Sequence, residues 1–162
     1  MDPLTRLTAI EDIKQLKSRY FTALDEKRWD EYASLFTADA VIDFSQQPDL
    51  INHGRDEADP ELEKWIFIGG RSAADFIEPL FAEVTSAHHG HDPRIEITSE
   101  NSAAGHWTLY DRLEFPDEIF HGYGRYEESY RKVDGKWLFT RLVLTRYAGA
   151  WETKTPVPMG AQ

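Results

Sequence analysis

The chain has 162 residues, the length of one ordinary domain, with 41% hydrophobic and 13% aromatic residues and a formal charge of −11 from 18 basic and 29 acidic side chains. That acidity repels phosphate backbones and anionic lipid surfaces, so neither nucleic acid nor membrane is an expected partner. The absence of cysteine excludes disulfides, thiolate catalysis and cysteine-ligated metals. No basic segment followed by an apolar one opens the chain, and no apolar run approaches the roughly 20 residues that span a bilayer, so a soluble cytoplasmic protein is expected.

Thr8 and Glu11 have the spacing of a capping box. Ile10, Ile13, Leu16, Tyr20 and Leu24 then recur at steps of three and four, which predicts a helix from about residue 5 to 26. A shorter helix is expected over Asp30 to Phe36, then a strand over Ala40 to Phe44. Residues 46–64 are polar and hold Pro48 and Pro60. So long an irregular connection reads either as a lid, binding loop or interface segment, or as a tolerated surface insertion. Ser72 is placed to cap a third helix whose apolar side carries Phe76, Ile77, Leu80, Phe81 and Val84, with Pro79 expected to kink or split it.

From Ser86 onward the pattern changes to strands, expected over 86–99, 101–115, 119–133 and 136–150. Pro93 marks an edge or a bulge in the first. Asp134-Gly135 suits a two-residue hairpin turn. If that turn sets the register, Tyr130 faces Phe139, Glu128 faces Arg141 and Tyr126 faces Val143. Helices followed by four long strands give an α+β fold: a curved antiparallel sheet wrapped around N-terminal helices, with an apolar pocket between the layers. Residues 1–151 form the single domain, and 152–162 a loosely held tail.

Four places could carry chemistry. Asp25 ends the first helix, where the dipole disfavours a negative charge; it is either functional or paired with Lys27 or Arg28. Tyr20 lies on the apolar face of the same helix, as a core residue or as a hydroxyl aimed into a pocket. Asp111 shares a strand face with Trp107, Leu109 and Leu113, while His106, Thr108, Tyr110 and Arg112 occupy the other. A carboxylate in an apolar row needs a partner, either a histidine or an arginine. His88, His89 and His91 fall within four residues, but strand alternation sends His88 and His89 to opposite faces. No metal site is therefore expected, and His88 reads as a structural histidine or as a general base.

Taken together these residues resemble the SnoaL-like branch of the NTF2-like superfamily, the group containing scytalone dehydratase, bile acid 7α-dehydratase and hexachlorocyclohexane dehydrochlorinase. The resemblance is carried by Ile13-x-x-Leu16-x-x-x-Tyr20-x-x-x-Leu24-Asp25, Trp29, Leu35-Phe36-x-x-Asp39-Ala40, Gly70-Arg71 and His88-His89-Gly90. Gly105-x-Trp107-x-Leu109-x-Asp111 and Gly122-Tyr123-Gly124-x-Tyr126-x-Glu128-x-Tyr130 complete it. It implies a cone-shaped α+β barrel. It implies catalytic roles for Asp25, His88, Tyr20 and Asp111, and a pocket lined by Phe44, Trp107 and Leu109. Phe44 stands near the place where the dehydratases carry a second tyrosine. Where scytalone dehydratase has a second histidine, this chain offers Asp111, or His106 on the opposite face.

The function implied is a cofactor-independent lyase, a dehydratase-like elimination on a small hydrophobic cyclic carbonyl compound. His88 is the general base, Asp25 fixes its tautomer, Tyr20 binds the enolate oxygen, and Asp111 orients His88 or protonates the leaving hydroxyl. An isomerase or polyketide-cyclase-type enzyme needs the same base without a leaving group. A non-enzymatic ligand-binding or accessory domain needs only the pocket. The superfamily also implies a homodimer or homotrimer formed through the open sheet.

Overall fold

Asp2 and Pro3 start the first helix. The Asp2 carboxylate accepts from the backbone N–H groups of Leu4 (3.0 Å) and Thr5 (3.1 Å), and Pro3 takes the first helical position, where a missing N–H costs nothing. Helix α1 therefore runs Pro3–Asp25. The capping box expected at Thr8 is not used: Thr8 and Glu11 lie inside the helix, and Glu11 accepts from Gln15 instead. The helix stops because Lys27 turns into the left-handed region (φ 57°) and Arg28 N–H reaches back to Ala23 C=O at 2.7 Å.

The structure is a computed structural model and describes residues 1–47 and 64–154. The polar connection read at 46–64 lies almost wholly outside the described residues, as do residues 155–162 of the tail. After α1 come helix α2 (Trp29–Ser34), strand β1 (Phe36–Gln46), strand β2 (Ile66–Ile68), helix α3 (Gly70–Leu80), and strands β3 (Thr85–Ile97), β4 (Ser102–Glu114), β5 (Glu118–Val133) and β6 (Lys136–Thr153). Ser72 does not cap α3. Gly69, at φ 78°, holds the N-cap position, and the Ser72 hydroxyl donates back to the carbonyls of Ile68 and Gly69 from within the first turn. Pro79 sits one residue from the end, where it ends the helix rather than splitting it.

The six strands form one sheet in the order β2-β1-β6-β5-β4-β3. It is mixed rather than antiparallel, because β1 runs parallel to β6, and it stays open rather than closing into a barrel. β3 is an edge strand, and Pro93 lies in its bulge between His91 and Arg94. The Asp134-Gly135 turn pairs Val133 with Lys136 and Tyr130 with Phe139. The register then slips by one at Thr140. Glu128 faces Leu142 and Tyr126 faces Leu144, not Arg141 and Val143. The slip has a clear cause. Strict alternation would put Arg141 on the buried face behind Phe139; the bulge turns Arg141 outward and brings Leu142, Leu144 and Arg146 inward.

The inner sheet face packs on α1. Ile13, Leu16, Tyr20 and Leu24 meet Tyr126, Tyr130, Phe139, Leu142 and Leu144 in one core, where each large side chain contributes about 1.5–3 kcal/mol. Lys17 lies on the same helix face and is buried with Glu128; their charges meet at 2.5 Å. Among the described residues no helix is long and apolar enough to cross a membrane.

Candidate active site

The end of α1 delivers Asp25 to the edge of the sheet. Its carboxylate accepts from the His88 backbone N–H (3.0 Å), from the Ser86 hydroxyl (2.7 Å) and from His88 Nδ1 (2.6 Å). It turns to β3 rather than to Lys27 or Arg28. Burial would raise its pKa, but the hydrogen bonds and charge interaction with His88 and the Ser86 bond outweigh that and hold it below the ordinary aspartate value. An ionised carboxylate only accepts, so Nδ1 carries the proton, and the Nε2 lone pair is left for another partner. The imidazole lies nearly parallel to the rings of Phe21 and Phe81, with centroids at 6.5 and 6.2 Å.

Asp111 lies opposite His88 on β4 and is fully buried. Its Oδ2 is 3.8 Å from His88 Nε2, too far for a hydrogen bond, and is ion-paired with the guanidinium of Arg146. Both alternatives read from the sequence are thus combined: the partner is an arginine, and a histidine stands beside it. Gly122 on β5 makes this possible. A Cβ there would stand 2.0 Å from Asp111 Oδ1 and 2.8 Å from Arg146 Nε, so only glycine leaves room for the pair. Arg146 also donates through Nη1 to Gln47 Oε1, and Gln47 Nε2 donates to Phe44 C=O at 2.7 Å. A polar line Asp25–His88–Asp111–Arg146–Gln47 therefore runs through the interior, separate from the buried Lys17–Glu128 pair.

This line borders a cavity of about 380 Å³ between α1, α3 and the inner sheet face. His88, Tyr20, Tyr126, Gln47 and Arg146 supply its polar lining, and Phe44, Trp65, Phe76, Phe81, Phe115 and Trp151 dominate the remainder. Of the pocket residues expected from the sequence, Phe44 lines the cavity, whereas Trp107 and Leu109 do not. They share the inward face, but that part of β4 is filled by core: Leu109 is buried there, and Trp107 Nε1 donates to Tyr130 Oη at 3.1 Å. The cavity begins further along the chain, at Leu113 and Phe115. Asp111 does not line the cavity, and its Oδ2 is engaged by the Arg146 guanidinium.

Tyr20 reaches the cavity wall, and its burial, with the negative charge of Glu128 contributing, raises its pKa well above the ordinary tyrosine value, so it remains a donor. His89 and His91 point outward and stack on each other (6.0 Å, 4°), away from His88. Among the described residues no group of His, Asp or Glu converges as metal ligands. Ser86, Gln47 and Arg146 were not read as site residues. Ser86 lies two residues from His88, on the same side of an extended strand. Arg146 follows Leu142 and Leu144 at steps of two, a signal that becomes readable once the bulge is known.

Residues 5–143 match the SnoaL-like domain profile. Solved structures with similar folds include a provisionally named scytalone dehydratase from Novosphingobium aromaticivorans, 21% identical over 98% of this chain and 97% of its own, with a TM-score of 0.75. A hexachlorocyclohexane dehydrochlorinase, LinA-type3 from Novosphingobium barchaimii, is 18% identical over 99% and 100%, with a TM-score of 0.72. A provisionally named aromatic ring hydroxylase from Novosphingobium aromaticivorans is 21% identical over 90% and 94%, with a TM-score of 0.69. At these identities the likeness establishes a shared fold and leaves the chemistry to the site.

Proposed function

Because the chain belongs to the SnoaL-like domain family, we propose that it is a cofactor-independent lyase that eliminates water from a small hydrophobic cyclic carbonyl compound. The observation that carries this reading is His88: Asp25 holds its Nδ1 at 2.6 Å, while the ring borders an apolar cavity. A base so oriented, beside an apolar cavity, is suited to removing a proton beside a carbonyl. A dehydratase and a dehydrochlorinase among the structural neighbours are consistent with this class of reaction.

In the proposed reaction His88 Nε2 takes the α-proton, and the C–H electrons pass into an enolate whose oxygen is bound by Tyr20. The enolate then re-forms the carbonyl as the C–O bond at the β-carbon breaks. His88 returns its proton to the departing hydroxyl, which leaves as water. Asp25 stabilises the transient imidazolium. Once His88 is protonated, its charge and that of Arg146 offset those of Asp25 and Asp111, so the buried group becomes neutral overall. Asp111 contributes by fixing Arg146 and by its negative charge beside His88, in place of the acid role expected from the sequence.

The test is product analysis on a panel of cyclic β-hydroxy ketones, reading the mass of one lost water. His88→Ala should lose the activity. Full turnover by that variant would overturn the proposal. A product of unchanged mass would assign the isomerase reading, which uses the same base.

A further inference from the structure

We propose that Leu113, Phe115 and Trp151 form a specificity subsite on the side of His88 remote from Tyr20, so that the preferred substrate carries an apolar extension at the end opposite its reacting carbonyl. The proposal rests on the cavity being the site of the elimination outlined above. That reaction uses the base and the oxygen end of the substrate, and it gives these three side chains no role.

The described residues form two hydrophobic clusters. The larger holds Tyr20 and Tyr126; the smaller consists of Val84, Leu113 and Phe120, with Phe81, Phe115 and Trp151 packed on it. The sheet register explains the break between them. His88, Asp111 and Gly122 lie side by side on β3, β4 and β5. That row offers an imidazole, a carboxylate and no side chain where apolar contacts would join the clusters. Two residues further along, Leu113, Phe120 and Trp151 form the next row, displaced by roughly 7 Å at the rise of a β-strand. In the opposite direction along β5, Gly122 leads by steps of two to Gly124 and Tyr126. On the sheet, His88 therefore lies between the phenol end of the cavity and the smaller cluster.

The cavity borders both clusters. Trp151 is held in its wall by the rings of Phe120 and Phe115, at 5.0 and 5.5 Å between centroids. Leu80, at the C-terminal end of α3 and next to Phe81, lines the cavity and is 49% exposed, so the cavity reaches the surface beside the smaller cluster. Its polar lining, from Tyr20, His88, Gln47 and Arg146, is buried by contrast. Buried polar groups at one end and apolar groups near the opening orient a ligand. Its oxygen enters first, and its hydrocarbon remainder stays against Phe115 and Trp151. Apolar walls that face a cavity rather than each other favour any hydrocarbon that removes them from water.

Binding of 2-naphthol and its 6-methyl, 6-ethyl and 6-propyl homologues to the full chain tests this without requiring turnover. The hydroxyl supplies the oxygen end, and the 6-substituent projects from the opposite end. Each added carbon should tighten binding by about fourfold, as burial of one methylene predicts. Trp151→Ala should reduce that gain to less than about twofold per carbon and leave the parent 2-naphthol within about twofold of wild type. Phe115→Leu should act in the same direction, and this arm decides the matter if the alanine variant does not fold. Affinity that stays level or falls along the series in the wild-type chain would overturn the subsite alone, and so would equal weakening of parent and homologues in the folded variants. Failure of the whole series to bind the wild-type chain would remove the cavity as a ligand site, and the proposed function with it.

Discussion

His88 and Asp25 are 63 residues apart in the chain, and the carboxylate grips the histidine twice, at its backbone N–H and at its ring Nδ1. A carboxylate that held only the ring would leave the strand free to slide. Holding both fixes the imidazole relative to the helix. Asp25→Asn should therefore lower turnover by roughly 10²–10⁴-fold, because an amide can donate to Nδ1 and select the wrong tautomer. Steady-state kinetics of the folded variant would check it, and unchanged turnover would remove Asp25 from the mechanism.

The same contact predicts an acid-side stability effect. The folded-state pKa of Asp25 lies below its unfolded value, so its contribution is complete above about pH 4 and disappears as the pH falls through the folded value. Asp25→Asn should therefore flatten the acid limb of a denaturation-against-pH curve relative to wild type.

Asp111 and Arg146 should behave as an all-or-none pair. Asp111→Ala leaves a buried guanidinium with only Gln47, and Arg146→Met leaves a buried carboxylate; each should cost about 3–5 kcal/mol. The double variant should cost much less than the sum. Urea denaturation of the four proteins gives the coupling energy, and simple additivity would show that the pair is not an energetic unit.

Gly122→Ala tests the space beside that pair. The new methyl would meet Asp111 Oδ1 and Arg146 Nε, neither of which can retreat without breaking the ion pair. Destabilisation of about 1–3 kcal/mol is expected, with impaired activity in the fraction that folds. Retention of both wild-type stability and wild-type turnover would contradict the close packing described here.

On the alkaline side two opposing effects are built into the core. Burial lowers the Lys17 pKa from 10.5 to about 8 despite Glu128, so between those values the unfolded chain binds more protons and stability rises with pH. Tyr20, Tyr32, Tyr126 and Tyr130 have pKa values raised well above 10.0 by burial; once the unfolded tyrosines ionise, the folded chain binds more protons and stability falls. Four groups against one should make the loss dominate above about pH 10. Absorbance at 295 nm should show these phenols ionising in one cooperative step with loss of helical circular dichroism. Gradual ionisation with the fold intact would contradict their burial.

The parts of the fold set by local periodicity were legible in the sequence. Ile13, Leu16, Tyr20 and Leu24 repeat at helical spacing because that spacing makes one buried face, and the Asp134-Gly135 turn fixes the first pairs of its hairpin. The start of α1 was also written locally, in Asp2-Pro3, which supplies both a cap and a preset φ where Thr8-Glu11 supplies only a spacing. The site was legible where a residue broke the local rule: Asp25 at a helix C-terminus, Asp111 in an apolar row.

What the sequence by itself determined, then, was the α+β class, the three helices, the first strand and the four long strands but not the short strand β2, and the candidacy of Asp25, His88, Tyr20 and Asp111, because period, turn chemistry and the cost of a buried charge are local properties. The tertiary structure decided the rest. One bulge at Thr140 shifts the phase of β6 and turns Arg146 from the outer face to the inner one, where it claims Asp111. Packing on α1 fills the sheet face at Trp107 and Leu109 and leaves the cavity beside Leu113 and Phe115. Side-chain facing in a strand has a period of two, so a single inserted residue reverses every later position. Only the competition among all inward-facing groups for the same space determines where that insertion falls.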